Sequence, residues 1–182
     1  MGEHQAIKIV FGILLSAGTI ALWLIAFLGK HKYLLQEKKC TSRVKGIIRR
    51  YTMASYGGEH AGVHLPVVFY TVNGREYKVV GPEYRITKTM TATAPVCRND
   101  MQHNEENQVL TVQRTVNSFV GIYRNPIEIR YPRNSEIDVY YDPENPKLAY
   151  VLRYCNKKWE FWLMFLAGAV ILSVDILMLL LL

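Results

Sequence analysis

The distribution of apolar positions divides the chain into three parts. Residues 9–28 read IVFGILLSAGTIALWLIAFL without a charge, and residues 159–182 read WEFWLMFLAGAVILSVDILMLLLL. An α-helix needs about 20 apolar residues to cross about 30 Å of hydrocarbon, so each run predicts a transmembrane helix. Trp159 and Trp162 stand at the start of the second run, where indoles favour the headgroup layer. Between the runs the pattern shortens to period two. LPVVFYTVNGREYKVV places two Val/Tyr-rich runs around Asn73-Gly74, the sequence of a type I′ β-hairpin. SEIDVYYD alternates cleanly and predicts a strand burying Ile137, Val139 and Tyr141. Asp142-Pro143-Glu144-Asn145-Pro146 is a turn, because two prolines fix φ and reject helix.

The remaining middle segments are less regular. KHKYLLQEKK continues as helix or as a solvated connector, TSRVKGIIRRYTM is β-prone, and YGGEHAGVH is a loop. Residues 86–108 show no sustained period and read as an excursion from the sheet. VLTVQRTV and SFVGIY are further strands or a second hairpin, the short IEIRY follows Pro126, and KLAYVLRY leads back to the second apolar run. Short strands between turn signals predict a small mainly-β barrel of OB or SH3 type. The fold class expected is therefore an α+β membrane protein. Its divisions are a short external N-terminus (1–8), helix 1 (9–29), a basic juxtamembrane segment (30–40), a β-rich domain (41–156) with an enlarged loop (86–133), and helix 2 (157–182).

Charge sets the expected orientation. The chain of 182 residues is 50% hydrophobic yet carries a formal charge of +7. Lys30, Lys32, Lys38, Lys39, Arg43, Lys45, Arg49 and Arg50 follow the first run; Arg153, Lys157 and Lys158 precede the second. Only Lys8 precedes the first. Cytoplasmic loops retain such cations, so the middle domain is expected on the cytoplasmic face of the plasma membrane with both termini outside. Lys30, Lys32, Lys38, Lys39, Lys157 and Lys158 would meet anionic lipid. The first run exceeds a signal-peptide core and ends in LGKHKY, a poor cleavage site; Ala6 replaces the Ser or Thr of a myristoylation signal.

Candidate chemistry is sparse. Asp175 is the one acid inside the second apolar run beyond its first turn, about 24 Å from Trp159 along a helix, and an isolated carboxylate there needs a partner or water. Lys8 is its expected counter-ion; a water-reached carboxylate is the alternative. Small residues Gly12, Ser16, Ala17, Gly18 and Ala21 in the first run, and Ala167, Gly168, Ala169 and Ser173 in the second, either let backbones pack closely, as a helix pair or a dimer seam, or are the ordinary small residues of membrane helices. His60 and His64 lack a helical context for a metal, and Asp142 and Glu144 belong to the turn. Cys40, Cys97 and Cys155 show neither disulfide nor zinc spacing. Arg49, Arg50, Tyr51, Tyr123, Arg124, Arg130 and Tyr131 form a basic and aromatic mixture that either stacks on nucleic acid or fills strands at a basic membrane face; the second reading is preferred. No catalytic set, cofactor, metal or small-molecule substrate is expected.

Two stretches, LPVVFYTVNGREY at 65–77 and IDVYYDPENP at 137–146, with a weaker one, VKGII at 44–48, carry a family likeness. On these residues the chain resembles a bacterial family of small membrane proteins of unknown function. The resemblance implies two terminal helices bracketing a compact β domain, and no agreed activity; some relatives look like immunity or partner proteins of secreted toxins. The enlarged 86–133 segment departs from that pattern. The function expected is thus a non-enzymatic, membrane-anchored interaction or accessory protein whose partners are membrane lipids and another protein. The alternative is a small subunit of a transport or channel assembly working through its helix pair and Asp175.

Overall fold

The computed structural model describes residues 3–54, 63–93, 102–116 and 125–181, and the chain is α+β. It separates into a helical unit, Met1–Leu35 with Asn156–Leu182, and a β-rich unit, Gln36–Cys155.

In the helical unit, α1 (Glu3–Leu24) runs into a π-helical turn (Ile25–Lys30), and α4 (Lys158–Leu181) lies antiparallel to α1. Both are long and apolar enough to cross a membrane. Their large side chains point outward: Ile9, Val10, Ile13, Leu14 and Ile20 on α1, and Leu163, Leu166, Val170, Val174 and Leu177 on α4 are all exposed. The face turned inward is aromatic near one end, where Phe27 meets Phe161 and Phe165 edge-on and Trp23 stacks on Phe165. α2 (Lys32–Lys39) follows the π-helical turn and realises the helical continuation of KHKYLLQEKK.

The β-rich unit is built on a five-stranded antiparallel sheet in the order β3-β2-β1-β7-β8, with β1 (Ser42–Tyr51), β2 (Pro66–Val72), β3 (Arg75–Val80), β7 (Glu136–Tyr141) and β8 (Ala149–Val151). Alternation along each strand directs Ile48, Val68, Tyr70, Val72, Ile137, Val139, Ala149 and Val151 into one core. The sheet curls into a half-barrel around it. Gly46 permits the curl at the centre, since a β-carbon there would lie 2.5 Å from Val68 Cγ1 and 3.0 Å from Val139 Cγ2. Between Ile48 and Arg50 the register shifts by one residue, a bulge that increases twist. The expected hairpin is present: Val72 pairs with Arg75 around Asn73 (φ 50°) and Gly74 (φ 74°), the left-handed pair of a type I′ turn. Ile137 and Val139 are buried as the alternation predicts, whereas Tyr141 is only partly so. Asp142 Oδ1 accepts the Glu144 N–H at 2.9 Å inside the proline turn.

The segment expected as an excursion is a second sheet. β4 (Ile86–Thr93), β5 (Gln102–Glu106) and β6 (Val109–Val116) pair in the order β4-β6-β5, with β4 parallel to β6. The Thr and Asn content of 86–108 hid two strands, because threonine is β-branched and extends readily without giving an apolar period. IEIRY forms part of a short helix, α3 (Pro126–Arg130), with Pro126 in its first turn. A second core of Val63, Leu65, Tyr84, Leu110, Val112 and Ile127 joins these pieces to the end of the half-barrel through Tyr51, Val80 and Tyr131. Most of the YGGEHAGVH loop, the SFVGIY strand, His60, Cys97, Tyr123 and Arg124 lie outside the described residues.

Candidate functional site

Polar contacts along the inner face of the helix pair form a ladder. The Ser16 hydroxyl donates to Asp175 Oδ2 at 2.8 Å, the Thr19 hydroxyl reaches the Gly168 carbonyl at 3.5 Å, and Trp23 Nε1–H donates to the Phe165 carbonyl at 3.2 Å. At the end of the ladder the Lys30 ammonium meets Glu160 Oε2 at 2.5 Å. Asp175 is 3% exposed, and its Oδ1 has no hydrogen-bond partner.

Asp175 therefore takes Ser16 and not Lys8. Lys8 makes no ion pair among the described residues, and it lies two turns beyond Ser16, about 12 Å along the helix axis. The expectation of a Lys8–Asp175 pair failed because the register of the antiparallel pair was unknown: Lys8 stands opposite the last turn of α4, past Asp175. Of the small residues singled out, Gly12 does face α4, with Asp175 Oδ1 and Leu179 within van der Waals reach of its missing side chain. Ala169 is half-buried. Ser173 is exposed, and its hydroxyl donates back to the Ala169 carbonyl of its own helix at 2.8 Å. The closest approach falls at Gly168, also one of the small residues named from the sequence, where a β-carbon would sit 2.6 Å from Trp23 Nε1.

The basic residues separate into two groups. The ammonium groups of Lys32, Lys157 and Lys30 stand 4.7, 5.8 and 5.9 Å from the centre of the buried Tyr33 ring, a cation–π cluster. Lys157 is itself buried and Lys158 half-buried, while Lys38 and Lys39 are exposed on α2.

In the β-rich unit the densest polar cluster surrounds Glu105 of β5, which the sequence analysis passed over. Its Oε1 accepts the Tyr84 hydroxyl at 3.0 Å and the Tyr131 hydroxyl at 3.5 Å, and lies 3.5 Å from Arg130 Nη1; its Oε2 lies 3.7 Å from Arg153 Nη2. The Arg153 guanidinium is 4.7 Å from the Tyr84 ring centre. Burial, then the Glu105 charge, pushes both the Tyr84 and Tyr131 hydroxyls above the ordinary tyrosine range. Both phenols therefore stay protonated and donate to the carboxylate. This arrangement ties strand, helix and chain return together. The separation of Tyr84, Glu105, Arg130, Tyr131 and Arg153 along the chain hid the convergence.

The other candidates of the β-rich unit are structural. His64 Nδ1 is 2.8 Å from the Thr52 carbonyl, and its backbone is clamped by the Asn125 side chain at both N–H and C=O. Cys40 and Cys155 are buried and not joined in a disulfide; burial, then the Asp142 charge, raises Cys40 to about 11. Arg49 is held at the surface by Glu76, at 2.5 Å, and over the Phe69 ring.

One depression of about 430 Å³ opens on the half-barrel, lined by Phe69, Glu76, Tyr77, Lys78 and Lys147. No family model, curated protein or solved structure matches the chain.

Proposed function

We propose that the chain is a membrane-anchored interaction module: α1 and α4 cross the bilayer as an antiparallel pair, and the β-rich unit is displayed at the cytoplasmic surface of the plasma membrane for another protein. The observation that carries this reading is the sidedness of the helix pair. Large apolar side chains cover its outside, while within it Ser16 donates to Asp175 and Thr19 and Trp23 reach carbonyls of the facing helix. Hydrocarbon rewards that arrangement, whereas water would penalise so wide an apolar surface. Cations after the first span and before the second favour a cytoplasmic middle. The motifs at 65–77 and 137–146 resemble those of a bacterial two-helix family, and we read the half-barrel as an SH3- or OB-like barrel left open.

The anchoring half is tested by placing single cysteines at Asn73 and beyond Leu181 in a cysteine-free variant. A membrane-impermeant maleimide applied to intact cells should label the second and spare the first; the reverse pattern overturns the orientation. The interaction half is tested by purification from native membranes in mild detergent. A companion present in equal amount supports the module, and finding none counts against it.

A second reading, a small transport or channel subunit, draws on the unpartnered Asp175 Oδ1. Asp175→Asn should abolish function under that reading and leave the interaction module working.

A further inference from the structure

The half-barrel has an unclosed seam, and we propose that the seam is a docking groove for an extended, acidic peptide segment of a partner protein, which pairs with the free edge of β3. This inference rests on the interaction-module reading and names where and how the partner binds.

The edges of the five-stranded sheet are β3 and β8. Curling brings them together at one end, where a β-carbon at Gly81 would lie 3.0 Å from Val151 Cβ. No backbone hydrogen bond joins them among the described residues. Toward the Asn73-Gly74 turn the depression opens, with Glu76, Tyr77 and Lys78 on one bank and Lys147 on the other.

Hydrogen-bond parity decides which edge is available. In a two-residue hairpin the residues flanking the turn form a bonded pair, so Val72 with Arg75, Tyr70 with Tyr77 and Val68 with Val79 exchange bonds. The Gly81 N–H to Pro66 carbonyl bond, at 3.0 Å, keeps the same phase. The N–H and C=O of Glu76 and Lys78 therefore point away from β2, into the depression. Edge β8 offers less. Bonds from Asp142 N–H to Leu148 and from Leu152 N–H to Asp138 turn Ala149 and Val151 outward, but the Ala149 carbonyl accepts Gln36 Nε2–H at 2.9 Å and the Val151 carbonyl accepts the Arg153 N–H at 2.6 Å.

A strand added to β3 would satisfy the free ladder groups, the usual route of β-augmentation. Phe69, on the face shared with Lys78, and Tyr77, on the opposite face, both line the depression that such a strand would enter. The charge at the rim sets the sign. Glu76 is neutralised by Arg49, while Lys78 and Lys147 are exposed and make no ion pair or hydrogen bond among the described residues. Two unanswered ammonium groups select carboxylates on the incoming strand.

The test uses the full chain in lipid nanodiscs and three capped peptides: alternating valine and glutamate, alternating valine and lysine, and the glutamate peptide N-methylated at alternate amides. Binding is read by fluorescence anisotropy, and engagement of β3 by the amide resonances of Glu76 and Lys78. The glutamate peptide should bind at least about tenfold more tightly than the lysine peptide, and N-methylation should remove binding. Lys78→Glu combined with Lys147→Glu should invert the preference. Lys78→Pro removes one outward N–H without touching the β2 ladder and should weaken binding while the Val72–Arg75 turn signals persist. Equal binding of both charges, indifference to N-methylation, or no binding at millimolar peptide overturns the groove. If the groove fails but native membranes still yield a stoichiometric companion, the interaction reading stands without it. If charge-selective peptide binding is found and no companion is, the groove stands and the broader reading falls.

Discussion

Ser16 and Asp175, 159 residues apart in the chain, are joined by a 2.8 Å hydrogen bond across the helix pair. In an apolar surrounding this is the one donor that the carboxyl group receives, since the other oxygen is unpartnered. Ser16→Ala should lower the stability of the helix pair by about 1–2 kcal/mol, the upper range for hydrogen bonds between membrane helices. Asp175→Asn keeps an acceptor for the hydroxyl and should cost less. Lys8→Leu should be close to neutral, and its coupling to Asp175→Asn in a double-mutant cycle should vanish. Steric-trap unfolding in bicelles measures all three; a coupling between Lys8 and Asp175 larger than that between Ser16 and Asp175 would contradict the observed register.

Gly168 is the seat of the Trp23 indole. A methyl group 2.6 Å from Nε1 forces the ring outward and breaks its bond to the Phe165 carbonyl. Gly168→Ala should destabilise the pair by about 1–3 kcal/mol, the usual penalty for overpacking. Trp23→Leu alone should cost a comparable amount, but Gly168→Ala added to it should cost little, because the ring is already gone. The same bicelle assay detects that non-additivity; additive losses would mean that Gly168 matters for another reason.

How far these relationships were legible in the sequence depends on how local each one is. The Asn73-Gly74 hairpin and the Asp142-Pro143 turn are short-range chemistry, and both stand where the residues place them. The helices were legible from length and hydropathy alone. Their register was not, because any of several small residues fits an apolar interface, and the choice of Gly168 over Ser173 is made by where Trp23 falls. β6 stands where VLTVQRTV was expected to extend, but its partner β4 was hidden for a different reason: Thr87, Thr89 and Thr91 extend like valine but bury no apolar stripe. The Glu105 cluster draws on Tyr84, Arg130, Tyr131 and Arg153, whose convergence depends on the sheet pairing itself.

Glu105 balances two guanidinium groups and accepts from two phenols while its side chain is 12% exposed. Removing it leaves Arg130 and Arg153 facing each other without a counter-charge. Glu105→Ala should destabilise the second sheet by about 1–3 kcal/mol, the range for stripping buried donors of their acceptor, because Arg130 is about half exposed and partly served by water. Glu105→Gln, which retains an acceptor for Tyr84, should lose less. Hydrogen exchange at Val109–Val116 reads the effect locally, and unchanged protection there would remove Glu105 from the framework. The central amides of β1 and β2, in the other sheet, should change much less.

Alkaline pH should loosen the half-barrel in a defined window. The buried Tyr70 hydroxyl donates to the Pro146 carbonyl, and burial with nearby Cys40, Tyr77 and Tyr141 raises it from 10.0 to about 12. Cys40, whose thiol donates to the Leu148 carbonyl at 3.3 Å, is raised from 9.0 to about 11. Both groups ionise more readily in the unfolded chain, so the folded state binds more protons between the two values. Stability is then complete below about pH 9, falls as Cys40 and next Tyr70 pass through their windows, and levels above about pH 12. Urea unfolding of the protein in micelles, followed by far-ultraviolet circular dichroism from pH 8 to 12, measures this slope. Cys40→Ser should flatten its lower part and Tyr70→Phe its upper part, each lowering the starting stability by the lost hydrogen bond. A slope unchanged in both variants would assign the alkaline sensitivity to the other raised hydroxyls: Tyr51, which bonds the Tyr131 carbonyl, Tyr84 and Tyr131 beside Glu105, and Tyr150.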